Sequence, residues 1–129
     1  MRMEIYFDGN KRVNASYNGS IIKTDQPVEA GGDASAPAPF DLFLASIGTC
    51  AGIYVKSFCD QRGISSEKIK ITQDMEFDFA SRLINKVNIN IQLPADFPEK
   101  YKSAVVNAAN LCAVKKHLVH APELNVTAA

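Results

Sequence analysis

The sequence predicts one domain of mixed helix and strand, and three observations predict it. The first 24 residues alternate apolar and polar positions, Leu42 to Val55 is a long uncharged run, and residues 69–79 and 87–93 return to strict alternation. Strands, a long helix, a strand pair and a further helix therefore follow one another along 129 residues. That length, with 47% apolar residues, suits a single domain over 1–129 that has its own core.

The opening strands are carried by Met3, Ile5 and Phe7, then Val13, Ala15 and Tyr17, then Ile21 and Ile22. Asp8-Gly9 and Asn18-Gly19 separate them, and both dipeptides supply the positive φ that tight hairpin turns need, so a three-stranded antiparallel meander is expected. Asp25 to Ala38 holds Pro27, Gly31, Gly32 and Pro37 with few apolar residues. An irregular connection of that length in a compact domain belongs beside a functional site.

Pro39 suits the first turn of a helix, where its missing N–H costs nothing, and the helical pattern continues to about Arg62 with Gly63 as its cap. The uncharged part, Leu42 to Val55, is 14 residues, short of a bilayer's thickness and typical of a buried helix. Gly48 and Gly52 interrupt it, each at a cost of about 1 kcal/mol relative to alanine, which calls for a bend or a close approach near Cys50. A break at Gly48-Thr49 would put Cys50 in the first turn of a second segment, where free N–H groups and the positive end of the dipole favour a thiolate.

Ile69, Ile71, Met75, Phe77 and Phe79 share one face of the next strand, which makes both phenylalanines core residues. Val87, Ile89, Ile91 and Leu93 form its antiparallel partner across the turn at Ala80-Ser81-Arg82. After Pro94 and Pro98, Tyr101, Ala104, Val105, Ala108, Leu111 and Cys112 fall on one face of a second helix, so Cys112 points inward. Lys115, Lys116 and His117 suit its C-terminal end as a wet face, and a short last strand is expected over Leu124 to Thr127.

Acidic and basic residues balance at 14 each with no long block of one sign, which argues against nucleic acid and against a polybasic membrane patch as partners. The first residues carry Glu4 and turn at Asp8-Gly9, unlike a signal peptide, so a cytoplasmic protein is expected. Thiols are kept reduced there, and a bond between two of the three cysteines would be transient rather than structural. Cys59 lies nine residues after Cys50, roughly half a turn away on the same helix, beside Asp60, and takes a packing or surface role. Cys50 and Cys112 have two readings from pattern alone, as small buried hydrophobes or as a redox pair. A zinc site using them with His117 or His120 lacks paired ligand spacing, and no metal is expected.

The segment Pro39-Phe40-Asp41-Leu42-Phe43-Leu44-Ala45-Ser46-Ile47-Gly48-Thr49-Cys50, with Asn110-Leu111-Cys112-Ala113-Val114-Lys115-Lys116-His117 and the order of elements, resembles the OsmC/Ohr family of osmotically inducible and organic-hydroperoxide-resistance proteins. The resemblance covers nearly the whole chain and is closest to the OsmC-like branch. It implies an α+β fold, an antiparallel sheet packed on a long buried central helix, assembled as an intertwined homodimer with sites at the subunit interface. It also implies a chemistry in which Cys50 attacks the O–O bond of an organic hydroperoxide and becomes a sulfenic acid, and Cys112 resolves it as a disulfide. A lipoyl-type or other small dithiol would then reduce the pair, with no bound cofactor. Phe40, Asp41, Phe43 and Ile47 are the expected substrate-side residues, with Arg12 as the candidate activating cation.

Two departures from the family pattern bear on activity. The strongly peroxidatic branch carries a glutamate directly after the motif proline, orienting an arginine onto the thiolate; this chain has Phe40 there, and Asp41 follows about 100° further around the helix. Arg12 has no surrounding motif that fixes its alignment. The alternative function is therefore a dimeric small-molecule-binding or redox-responsive protein without efficient peroxidase turnover.

Overall fold

The computed structural model describes all 129 residues and divides into two compact units, Met1–Ala45 and Ser46–Ala129. In the first unit, β1 (Glu4–Phe7), β2 (Val13–Tyr17) and β3 (Ser20–Ile22) form the expected antiparallel meander in that order. Phe7 pairs with Val13, and Tyr17 with Ser20 across a two-residue turn at Asn18 (φ +48°) and Gly19 (φ +76°). The alternation does not yield an apolar buried face within this unit: Ile5, Phe7, Ile21 and Ile22 are exposed, and the buried position of β2 is Asn14. Asn14 is accommodated because its Nδ2 donates to Asp8 Oδ2 at 2.9 Å and its Oδ1 accepts from the Thr24 N–H at 3.3 Å.

The Gly/Pro-rich connection is tied down by a single carboxylate. Asp25, fully buried, accepts from the backbone N–H groups of Gln26 (2.7 Å) and Ser35 (3.0 Å) and from the Ser35 hydroxyl. These bonds hold its pKa down at about 2, the Ser35 hydroxyl contributing most. Gly32 closes the loop by donating to Pro27 O at 3.0 Å, so near Gln26 that a Cβ would lie 2.0 Å from the Gln26 carbonyl oxygen.

α1 runs unbroken from Pro39 to Gln61, beginning in the first unit and ending in the second. It ends as expected: Gly63 (φ +63°) donates to Asp60 O and Ile64 to Cys59 O, the paired bonds of a left-handed glycine cap. Its length and composition alone would allow a membrane span. Its buried residues, however, recur at Ile47, Ala51, Val55, Phe58 and Cys59, the spacing of one helix face.

In the second unit β4 (Lys70–Asp78) and β5 (Leu83–Gln92) pair antiparallel, with Ile71 opposite Ile91 and a bulge at Glu76/Phe77. Asp78 closes the turn by accepting from the Ser81 hydroxyl (2.7 Å) and the Ala80 N–H (3.1 Å). Val55, Phe58, Cys59, Phe97 and Val105 make the core, packed against Ile69, Ile71, Ile91 and Leu93 from one end of the hairpin. The other end runs past this core, because the paired strands are longer than the surface that covers them. Phe77 and Phe79 are therefore not core residues; they are exposed and meet edge to face with centroids 5.0 Å apart.

Two further expectations are corrected. The second helix is not continuous: after a 3-10 turn at Glu99–Tyr101 come α2 (Lys102–Ala109) and a separate α3 (Ala113–Val119). Asn110 and Cys112 lie between them, and the side chain of each can bond locally to the backbone or its neighbours instead of continuing a helix. The strand expected over Leu124 to Thr127 is absent: the segment joins neither sheet, and Leu124 and Val126 are exposed.

Candidate functional site

The second unit contains a cavity of about 280 Å³. One wall is the α1 turn from Ile47 to Ala51, and the opposite wall is the inward face of β5, where Val87, Ile89 and Ile91 alternate with the exposed Asn88 and Asn90. Val106 and Ala109 of α2 and Leu118 of α3 add further aliphatic surface. The polar residues that line it are Asn110 and Cys112, between α2 and α3, and Lys115 in the first turn of α3.

Cys112 is buried, 2% exposed, and is one of the residues that line this cavity. It is the N-cap of α3: its φ of −60° and ψ of 141° lie outside the helix, and its Sγ accepts the Lys115 N–H at 3.2 Å. The helix start that the sequence suggested for Cys50 is thus found beside Cys112. α1 passes through Gly48 and Thr49 without a break, which leaves Cys50 mid-helix and removes the dipole as its activating feature. The two interior glycines have another cause, close packing. A Cβ on Gly48 would lie 2.6 Å from Gln73 Oε1, and one on Gly52 would touch Ile71 Cδ1 at 3.9 Å.

Cys50 is half-buried and lies on the flank of the stripe that faces the cavity, about 60° around α1 from Ile47. The cavity wall includes Ile47 and Ala51 but not Cys50. All three cysteines are free thiols. Cys59 is fully buried in the core, and desolvation first, then Asp60, pushes its thiol pKa up. That places it in the packing role.

Arg12, Phe40, Asp41 and Phe43 belong to the first unit. Arg12 is already occupied: Nη1 bonds Asp33 Oδ2 at 2.6 Å and Nε donates to Asp8 O at 2.9 Å. Phe40 and Phe43 are exposed and stack on each other, centroids 5.7 Å apart. Asp41 is exposed in the first turn of α1, where a carboxylate complements the helix dipole.

Asn110 and Lys115, which the sequence reading did not single out for a site, line the cavity beside Cys112. Lys115 is solvent-exposed, as a wet face requires, and its Nζ donates to the equally exposed Asn110 Oδ1 at 2.6 Å. The signal was present in Asn110, a weak helix former two residues before a cysteine that can cap. His117 turns back on its own helix, Nδ1 lying 2.7 Å from Ala113 O.

A family model described as OsmC-like protein matches residues 32–127. A solved structure of a candidate osmotic-stress-induced and detoxification response protein from Psychrobacter arcticus 273-4 superposes with a TM-score of 0.71 at 22% identity, covering 88% of this chain and 85% of that one. An OsmC-like protein from Mycoplasma pneumoniae gives 0.69 at 12% identity, covering 93% and 87%. An organic hydroperoxide resistance protein from Legionella pneumophila gives 0.54 at 17% identity, covering 91% and 87%. No curated protein matches the sequence. These likenesses bear out the α+β fold with antiparallel sheets and helices.

Proposed function

Because the chain belongs to the OsmC-like protein family, we propose that it reduces organic hydroperoxides at the expense of a thiol. Cys50 is the peroxidatic residue: its thiolate takes the distal oxygen of ROOH, the O–O bond breaks, and with one proton the products are ROH and Cys50 sulfenic acid. The Cys112 sulfur then bonds to the Cys50 sulfur and the S–O bond breaks, releasing water. An external dithiol, lipoyl-type or another small one, restores both thiols and leaves as its own disulfide. The working form is a cytoplasmic homodimer, and the cycle uses no bound cofactor.

The observation that carries this reading is an aliphatic cavity lined by Cys112 on one side and by Ile47 and Ala51, which flank Cys50 on α1, on the other. Such a pocket suits the apolar R group of an organic hydroperoxide better than hydrogen peroxide. Ile47 contributes to that preference directly.

Two observations favour the alternative, a dimeric binding or redox-responsive protein without efficient turnover. Arg12 is paired with Asp33, and Phe40 stands where the peroxidatic branch has its arginine-orienting glutamate. Dithiol-dependent consumption of cumene hydroperoxide by wild type, Cys50→Ser and Cys112→Ser separates the two. Loss of consumption in Cys50→Ser, with Cys112→Ser stalled as sulfenate, is the expected result; equal rates for wild type and Cys50→Ser sink the enzyme. Light scattering of a stable monomer at micromolar concentration would count against the dimer.

A further inference from the structure

Lys115 closes the turn between α2 and α3 twice. Its backbone N–H donates to Cys112 Sγ at 3.2 Å, and its Nζ donates to Asn110 Oδ1 at 2.6 Å on the exposed side of the turn. The two bonds bracket the cysteine along the chain, from two residues before it to three residues after it. α3 spans only Ala113–Val119, too short to persist without its cap, so the first turn of α3 and the placing of the sulfur form or open together.

We propose that Lys115 is a positioning residue for Cys112, its side chain clasping Asn110 so that the turn, and with it the capping bond to the Cys112 sulfur, stays in place for the resolving step. The inference rests on the reading of Cys112 as the resolving thiol. In that step the sulfur of Cys112 attacks the sulfur of Cys50 sulfenic acid, the S–S bond forms, the S–O bond breaks, and hydroxide leaves with the thiol proton as water. A sulfur already fixed in place loses less freedom on reaching that geometry than one on a loose link. Opening the clasp therefore slows disulfide closure, and at the same time frees the thiol for reagents from solution.

Those opposite effects define the test, made on the full-length reduced protein with wild type, Lys115→Met, Asn110→Ala, the double variant and Lys115→Arg. Maleimide labelling is read at each cysteine by peptide mass spectrometry, with core-buried Cys59 reporting global opening. Lys115→Met and Asn110→Ala each raise Cys112 labelling about three- to tenfold, with Cys59 unchanged. The double variant labels no faster than either single one, because both remove the same bond. Lys115→Arg, which keeps a donor, stays near wild type. After one mixing with stoichiometric cumene hydroperoxide, the Cys50 sulfenate persists about three- to tenfold longer in Lys115→Met and regains its wild-type lifetime in Lys115→Arg.

Unchanged Cys112 labelling, a rise shared by Cys59, singles that multiply in the double variant, or an unaltered sulfenate lifetime each overturns the proposal. A wild type that never forms sulfenate sinks the peroxidase reading instead, and the clasp then stands or falls on the labelling result.

Discussion

The side chain of Gln73 on β4 fills the notch left in α1 by Gly48, its Oε1 only 2.6 Å from where a Cβ would stand. Alanine at that position would otherwise be worth about 1 kcal/mol to a helix interior. Gly48→Ala alone should gain little or lose stability, because the Gln73 amide has to move. In a Gln73→Ala background the same change should stabilise by about 1 kcal/mol. Urea unfolding of the four members of the cycle measures the coupling, and strict additivity would rule out the notch.

Gly32 faces backbone rather than a movable side chain. With its Cβ built 2.0 Å from Gln26 O, the 25–38 loop has to open before alanine fits. Gly32→Ala should cost about 2–4 kcal/mol in chemical denaturation. A loss under half a kilocalorie would mean that the loop rearranges freely.

Asp25 gives the first unit an acid-sensitive contact. Its carboxyl is held at about 2, below the ordinary value near 3.9, so the folded state binds fewer protons than the unfolded one between those values. The stability it contributes is present above about pH 4 and is lost as the pH falls toward 2. Ser35→Ala removes the largest contributor and should move that loss to higher pH, while Asp25→Asn should flatten it. Unfolding midpoints from pH 5 to 2 check both, and a wild-type-like profile for Asp25→Asn would refute the assignment.

Cys59 acts at the alkaline end. Burial raises its thiol pKa, so above about pH 8.5 the unfolded chain ionises there while the folded chain does not, and stability falls as pH rises. Cys59→Ala should weaken this alkaline decline. Cys59→Ser, which puts an unpaired hydroxyl in the core, should cost about 1–3 kcal/mol at neutral pH. Thermal melts at pH 7 and 9.5 test the pair together.

Much of the local structure could be read directly. Asn18-Gly19 specified a two-residue turn, Pro39 and Gly63 marked the ends of α1, and alternating residues located β4 and β5. What failed were inferences from local pattern to environment. Phe77 and Phe79 alternate like core residues yet project past the core, and Leu124 to Thr127 reads like a strand but has no partner. Asn14 is the reverse case, a polar residue buried because Asp8 and Thr24 satisfy it.

The site shows the same division. Helical spacing and neighbouring charge, both local quantities, set Cys59 apart from Cys50, whereas residue patterns left Cys50 and Cys112 open between buried hydrophobes and a redox pair, and the pairing came from the family resemblance. The sequence could not tell which cysteine stands at a helix start. That depended on packing: Gln73 and Ile71 fit against the glycines of α1, which runs unbroken, while the second segment divides into two helices with Cys112 capping the later one. Side-chain chemistry is written in the chain, but whether a glycine marks a break or a close contact is decided by the element that packs against it.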